Sequence, residues 1–181
     1  SLEEANLILN FGHSSDMLAR EGEESVNSLL TKKLVDFVKE LDATRPVTAG
    51  CNEPNSGNHL FRSGALDVIG YNYHNKDIPH VPANFPDKPF IITESNSALM
   101  TRGYYRMPSD RMFIWPERWD KPFADSTFAC SSYENCHVPW GNTHEESLKL
   151  VRDNDFISGQ YVWTGFDYIG EPTPYGWPAR S

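Results

Sequence analysis

Glu94 is the residue of this sequence whose type and position best suit nucleophilic or acid–base chemistry. It closes the apolar run PFIITE at 89–94, so a strand would hold its carboxylate rigidly at the C-terminal end. In α/β barrels, polar side chains at the C-terminal ends of the strands form the active site. The competing interpretation is a solvated glutamate at the start of a loop, and spacing alone does not separate the two.

Polar and aromatic residues also stand at the ends of two other predicted strands. Tyr73 and His74 end the run LDVIGYNY, and Trp163 and Asp167 end or follow the run QYVWTGF. A phenol beside a carboxylate can donate a hydrogen bond to it, and an indole offers a flat apolar platform to a sugar ring. Each of these residues alone is typical of a core or a rim. Their coincidence at successive strand ends is what indicates a binding site.

Other catalytic chemistries have weak support in the sequence. Ser95 follows the PFIITE strand, but the G-x-S-x-G elbow of a serine hydrolase does not occur. The six histidines are scattered without H-E-x-x-H or facial-triad spacing. Neither a metal nor another cofactor is therefore expected.

The three cysteines leave the redox compartment open. They are too few for a disulfide scaffold and contain no C-x-x-C pair of a zinc site. Cys130 and Cys136 lie six residues apart in a polar stretch, so a local disulfide and two unlinked thiols are both compatible with the sequence. A secreted or periplasmic location would fit a disulfide, but nothing in the sequence selects it.

The charge balance and the lengths of the apolar stretches argue against two classes of partner. The chain has 181 residues, with 25 acidic against 16 basic side chains and a net charge of −9. Without a basic excess to neutralise phosphates, nucleic acid is not an expected partner. Apolar stretches such as FII at 90–92 are too short to span a bilayer, so no membrane is expected either. With 39% hydrophobic and 13% aromatic residues, the chain has the material for a folded core.

The helices that would position these residues follow from apolar periodicity and capping signals. Seven apolar residues recur on one face of a predicted helix over 24–41. Thr143 and Glu146 form a capping box that opens a second helix. Residues 1–23 carry only a short apolar cluster and predict a loosely ordered N-terminal segment.

The strands follow from short runs that are apolar on both faces, at 46–50, 66–73, 89–94 and 160–166. Such runs are typical of a buried parallel sheet, and their alternation with helices predicts an α/β fold. The region 95–142 is rich in Pro, Trp, Arg, Ser and Asn and has no sustained period. We interpret it as a long active-site loop.

Four of these segments together resemble a known family. The runs RPVTAG, DVIGYNYH, PFIITES and GQYVWTGFDYIGEPTPYG resemble catalytic-domain motifs of glycoside hydrolase family 2, the group of β-galactosidases, β-glucuronidases and β-mannosidases. The resemblance extends over residues 24–181, and the ending GFDYIGEPTPYG is most similar to β-galactosidases. It implies a (β/α)8 TIM barrel, present here as strands five to eight, and retaining hydrolysis of a β-linked sugar, with a galactoside favoured.

The resemblance also implies roles for individual residues. In this family a glutamate at the end of the seventh strand is the nucleophile, which matches Glu94. The tyrosine that donates a hydrogen bond to the nucleophile matches Tyr73, and the tryptophan floor of the sugar site matches Trp163. His74 and Asp167 are expected to contact substrate because of their positions at strand ends.

The second carboxylate of the family mechanism has no convincing match. It belongs to an Asn-Glu pair after the fourth strand, which Asn52-Glu53 imitates. Only one predicted strand separates Glu53 from Glu94, whereas the barrel requires two. The acid/base is therefore expected upstream of Ser1. The rest of a parent enzyme, or self-association, would then cover the open edges of a partial barrel.

Two departures from the family pattern bear on the substrate. Many β-galactosidases have a histidine three residues after the nucleophile, where this chain has Ser97, so individual galactose contacts are in doubt. The Asn-x-Lys motif that binds a uronic carboxylate in β-glucuronidases is missing, which disfavours a glucuronide. The alternatives are a β-mannosidase or β-glucuronidase specificity, or a carbohydrate-binding module without catalysis.

Overall fold

The computed structural model describes residues 24–115, 117 and 126–166, and these fall into two compact units. The segment 1–23 and Asp167, both subjects of sequence predictions, lie outside the described residues. Unit 1 contains 24–93 and 154–160, and unit 2 contains 94–115, 117, 126–153 and 161–166.

Helix α1 (Val26–Leu41) confirms the helix predicted over 24–41. Ser25 caps it, because its Oγ accepts the N–H of Ser28. The covered face is not the apolar one: Ser28 is buried, and its hydroxyl donates to the carbonyl of His59 at 3.0 Å. The seven periodic apolar residues are instead exposed, from 44% at Val38 to 80% at Val26. No helix within the described ranges is both long enough and apolar enough to cross a membrane.

Three strands form the main sheet in the order β1 (Ile69–Asn72), β2 (Phe90–Asn96) and β5 (Ile157–Trp163). The N–H of Ile69 donates to the carbonyl of Pro89 at 2.9 Å, which joins the start of β1 to the start of β2. The N–H of Ser97 donates to the carbonyl of Trp163 at 3.2 Å, which joins the end of β2 to the end of β5. Both pairs are therefore parallel, as the apolar runs predict.

The predicted strand at 46–50 is not a regular strand, although it runs beside β1. The carbonyl of Val47 accepts the N–H of Asp67 at 2.9 Å, and the carbonyl of Cys51 accepts the N–H of Asn72 at 2.9 Å. Between these points Thr48 donates its hydroxyl, rather than a backbone N–H, to the carbonyl of Val68 at 2.9 Å. The segment is thus parallel to β1 but has an incomplete ladder.

One face of the unit 1 sheet is aromatic and closely packed. The Tyr71 and Phe90 rings are 5.2 Å apart and nearly perpendicular, and Phe61 and Phe85 meet edge to face at 4.8 Å. The short helical elements of this unit are α2 (His59–Arg62), a 3₁₀ turn (Ile78–His80) and α3 (Val81–Asn84).

The opposite face of this sheet carries small and polar residues. A Cβ on Gly70 would lie 2.6 Å from the carbonyl oxygen of Ala49 and 2.8 Å from Thr93 Cγ2, so only glycine fits between the neighbouring segments. Thr93 donates its hydroxyl to Asn72 Oδ1 at 2.6 Å. The backbones of three adjacent segments therefore approach closely on this face.

Unit 2 contains two short strands. They were not predicted, because the region 95–142 has no sustained sequence period. Strands β3 (Phe113–Ile114) and β4 (Cys136–His137) pair in parallel. They flank an apolar cluster that includes both nearby cysteines, each buried as a thiol rather than joined in a disulfide. The cluster consists of Leu99, Trp115, Cys130, Cys136 and Val138, with Phe113 and Trp140 packed against it.

Helix α4 (His144–Arg152) follows this region and confirms the predicted capping box. The hydroxyl of Thr143 accepts the N–H of Glu146 at 3.3 Å, and the carboxylate of Glu146 accepts the N–H of Thr143 at 2.9 Å.

Asp67 ties α1 to the segment beside β1, and this predicts a pH-dependent effect. Its carboxylate accepts the N–H of Val47 at 2.9 Å and the ammonium of Lys39 at 2.9 Å, and these bonds, the first above all, lower the pKa of Asp67. A lowered pKa means stabilisation that is present above the unfolded-state pKa of about 3.9 and lost as pH falls through the folded value. We expect Asp67→Asn to reduce protection of the Val47 amide from hydrogen exchange several-fold at pH 6.

The same difference should shrink progressively as the pH falls below about 4 and disappear below the lowered pKa of folded Asp67, where the wild-type carboxyl is protonated as well. Asp36→Asn, an equal charge change on the exposed side of α1, serves as the control and should leave Val47 protection unchanged. A reduction in protection that is the same at every pH would contradict this assignment.

Candidate active site

Glu94 lies inside β2 rather than at its end, which corrects the predicted strand boundary. It is the fifth of the seven residues of Phe90–Asn96 and is half-buried. The strand continues because Ser95 is buried, with its hydroxyl 3.2 Å from the carbonyl of Tyr161 on β5. The carboxylate is therefore carried by a residue with regular strand backbone on both sides.

A sharp turn follows Glu94. Asn96 and Ser97 both adopt left-handed backbone conformations, with φ of 76° and 55°. Asparagine tolerates this region better than most residues. The carbonyl of Asn96 accepts the N–H of Asn142 at 2.8 Å, and the carbonyl of Ser97 accepts the N–H of Val138 at 3.2 Å. The turn is thus held by the segment that precedes α4.

Trp163 is the last residue of β5, the strand next to β2. Its carbonyl accepts the N–H of Ser97, and its side chain is 44% exposed. Glu94 and Trp163 therefore lie towards the same end of two neighbouring parallel strands within unit 2. An exposed indole at such a position is chemically suited to stack on a sugar ring.

Tyr73 and His74 belong to unit 1 and directly follow β1. Both are half-buried and left-handed, with φ of 56° and 57°. Non-glycine residues in this region are uncommon and cluster at functional segments. His74 Nδ1 lies 3.3 Å from Asp77 Oδ2, so its imidazole is oriented by its own loop.

The loop that carries Asn52 and Glu53 is fixed by two residues that the sequence did not single out. Tyr71 donates its phenol to the carbonyl of Pro54 at 2.7 Å, and Asn58 donates its amide to the carbonyl of Glu53 at 3.1 Å. Sequence patterns gave no signal for these contacts, because Tyr71 reads as a core strand residue and Asn58 as a turn residue. Both act on the backbone of the loop.

A buried thiol completes the support of this loop. Cys51 is 2% exposed, and its sulfur lies 3.1 Å from the carbonyl of Glu53. Burial raises the pKa of Cys51 to about 11, so the thiol is neutral and unreactive at neutral pH. Burial also raises the pKa of Tyr71, which stays a hydrogen-bond donor. Neither group is therefore poised for proton transfer.

Comparison with known proteins shows what the chain is similar to. All 181 residues align at 95% identity with β-galactosidase BoGH2A of Bacteroides ovatus, of which they cover 21%. The chain is therefore nearly identical to part of a glycoside hydrolase family 2 enzyme. No family sequence model matches it.

Two more distant proteins are also similar to the chain. A candidate β-glucuronidase of Formosa agariphila is 29% identical over 88% of the chain. The solved structure of a candidate β-galactosidase from Bacteroides fragilis superposes over 79% of the chain and 20% of its own length, with 18% identity and a TM-score of 0.53. This likeness shows the fold of a glycosidase. The chain spans 21% and 16% of the lengths of the two curated relatives that it matches here.

Proposed function

We propose that this chain is the C-terminal half of the (β/α)8 barrel of a retaining β-galactosidase and that Glu94 is the nucleophile. The observation that carries the proposal is the 95% identity to a β-galactosidase over a segment in which Glu94 lies near the C-terminal end of a parallel strand. A position near the C-terminal end of a parallel strand is expected of a nucleophile that a rigid sheet directs into the mouth of a barrel.

The arrangement of the strands supports the barrel half. The segment 47–51, β1, β2 and β5 follow one another in chain order, and every pairing between them is parallel. Within unit 1, one sheet face is aromatic and the other carries Gly50, Gly70, Asn72 and Thr93. In a (β/α)8 barrel the helices cover the outer face and the inner face points to the barrel axis. We assign these segments to barrel strands five to eight.

The chemistry follows from two carboxyl groups on either side of the glycosidic bond. Glu94 attacks the anomeric carbon while a second carboxyl, about 5–5.5 Å away, protonates the leaving oxygen. The resulting covalent galactosyl–enzyme is hydrolysed by water, which the second group deprotonates as a base. We propose that this second group lies on the fourth barrel strand, upstream of the present sequence.

The remaining predicted site residues have supporting roles in this proposal. Trp163 provides the platform under the galactose ring, and Tyr73 acts as a hydrogen-bond donor. His74 and Asp167 contact sugar hydroxyl groups. The exposed indole of Trp163 and the left-handed backbone of Tyr73 and His74 support these assignments.

The partner of the chain is proposed to be the rest of a longer enzyme. Helix α1 exposes seven large apolar side chains, which is costly in water. The chain corresponds to only about a fifth of its Bacteroides ovatus relative, so most of that polypeptide is available to cover such a face. We therefore infer that α1 packs against upstream parts of the barrel domain.

The test is a chimera in which residues 1–181 replace the matching segment of the Bacteroides ovatus β-galactosidase. We expect the chimera to hydrolyse an aryl β-galactoside and to release β-galactose first, as NMR of the fresh product would record. Release of the α-anomer would contradict a retaining mechanism. Faster turnover of the aryl β-glucuronide would contradict the substrate, and binding without turnover would favour a carbohydrate-binding module.

A further inference from the structure

We propose that Gly141 is a positioning residue for Glu94, acting through the backbone of Asn96; this rests on the proposed function of Glu94. Gly141 lies in the segment 138–142. This segment passes beside the end of β2 and immediately precedes α4. Sequence patterns gave no reason to select this glycine.

Two backbone hydrogen bonds hold the segment 138–142 to the turn after Glu94, and a third lies within the segment. Asn142 N–H donates to the Asn96 carbonyl at 2.8 Å, and Val138 N–H donates to the Ser97 carbonyl at 3.2 Å. Gly141 N–H donates to the Val138 carbonyl at 3.0 Å, which closes the segment on itself. The turn and the segment are therefore fixed to each other at two consecutive carbonyls.

Gly141 is required by space and not by its backbone angles. It is not among the residues with positive φ, but a Cβ there would lie 2.3 Å from the Asn96 carbonyl oxygen. The same Cβ would lie 2.8 Å from Val138 Cγ2 and 3.1 Å from the Ser97 carbonyl oxygen. Two of these three atoms belong to the backbone and cannot rotate away, so any side chain must displace the turn.

Such a displacement would be transmitted to the carboxylate because Asn96 is two residues beyond Glu94 on the same strand. The buried Ser95 between them lies with its hydroxyl 2.5 Å from Asn96 Oδ1 and 3.2 Å from the Tyr161 carbonyl. A Cβ on Gly141 would lie 2.3 Å from the Asn96 carbonyl oxygen, and ordinary contact begins at 3.4 Å, so relief of this contact requires a movement of about 1 Å. A 1 Å misplacement of reacting groups can cost roughly a hundredfold in rate.

The experiment compares Gly141→Ala with Gly159→Ala in the chimera. Gly159 lies in β5, and a Cβ there would have no atom within 4 Å, so it is a matched glycine without the close contact. The measurements are kcat and KM for an aryl β-galactoside and the rate of covalent trapping by a 2-deoxy-2-fluorogalactosyl fluoride. Trapping reports the attack by the nucleophile itself.

For Gly141→Ala we expect kcat and the trapping rate to fall roughly ten- to a hundredfold, with KM within about threefold. Gly159→Ala should match the unsubstituted chimera in all three quantities. A folded Gly141→Ala variant with an unchanged trapping rate would overturn the proposal. So would a loss of activity that only tracks a loss of folded protein.

Ser95→Ala keeps the proposal testable if Gly141→Ala does not fold, because it removes an atom without adding one. We expect it to lower the trapping rate several-fold at unchanged KM, and an unchanged rate would overturn the proposal. Glu94→Gln separates this outcome from failure of the proposed function. If that variant stays active, both proposals are wrong; if it is inactive and trapping is insensitive to Gly141 and Ser95, only the positioning role is wrong.

Discussion

The chimera that carries Glu94→Gln is expected to hydrolyse an aryl β-galactoside at least about a thousandfold more slowly than the unsubstituted chimera. Glutamine keeps the shape of the side chain but has no anionic oxygen to attack the anomeric carbon. The bound sugar meets nearly the same surface, so KM should change little. Steady-state kinetics with a nitrophenyl galactoside would measure both quantities.

Glu53→Gln is the matched control, since Asn52-Glu53 is the pair that imitates the family acid/base motif. The hydrogen bonds of the surrounding loop go to the backbone carbonyls of Glu53 and Pro54. We expect kcat to stay within a few-fold. A large loss of kcat in Glu53→Gln together with little loss of kcat in Glu94→Gln would contradict the assignment of Glu94 as the nucleophile.

Chemical rescue provides a further criterion for the nucleophile. Glu94→Gly leaves space beside the anomeric carbon, and azide should restore turnover of an aryl galactoside with a good leaving group. The product should be the α-galactosyl azide, because the small anion attacks from the face that the carboxylate occupied. Formation of the β-azide would instead assign the acid/base role to Glu94.

Residues 1–181 expressed alone are expected to show no detectable galactosidase activity, which is a complete loss relative to the chimera. Retaining hydrolysis requires two carboxyl groups, and the strand count provides one of them in this chain. The apolar face of α1 is also exposed, so the isolated chain should bind a hydrophobic dye that the chimera does not bind.

The same preparation of the Glu94→Gln chain controls for a contaminating glycosidase. Activity that is present in the isolated chain and absent from this variant would show that both carboxyl groups lie within residues 1–181. In that case Glu53 would be the first residue to test. Within the described residues, it belongs to the Asn-Glu pair that follows a segment parallel to β1.

The sequence predicted which segments form the strands of the sheet better than it predicted where each strand begins and ends. Apolar runs predict parallel strands because both faces of such strands are covered, and three of the four runs became strands. The last strand begins at Ile157 rather than Gln160, because Ser158 and Gly159 read as turn residues yet continue the ladder. Likewise, β2 continues to Asn96 because β5 and the 138–142 segment provide hydrogen-bond partners that lie far away in the sequence.

The faces of the elements were harder to predict than the elements themselves. The period of α1 indicates a helix, but which face is covered depends on neighbours such as His59, which binds Ser28. Close approaches such as that of Gly141 to Asn96 leave no local pattern, since a glycine in a loop is ordinary. The tertiary contacts that position the candidate site therefore could not be predicted from spacing.

The bond between Asn142 and Asn96 has a consequence for the chain between these residues. Its two ends are side by side, and Leu99, Trp115, Cys130, Cys136 and Val138 give it an apolar cluster of its own. A segment anchored in this way can be lengthened, shortened or exchanged at small entropic cost without altering the path of the flanking strand and helix. The surface of this segment can therefore vary in sequence while the Glu94 carboxylate keeps its position on β2.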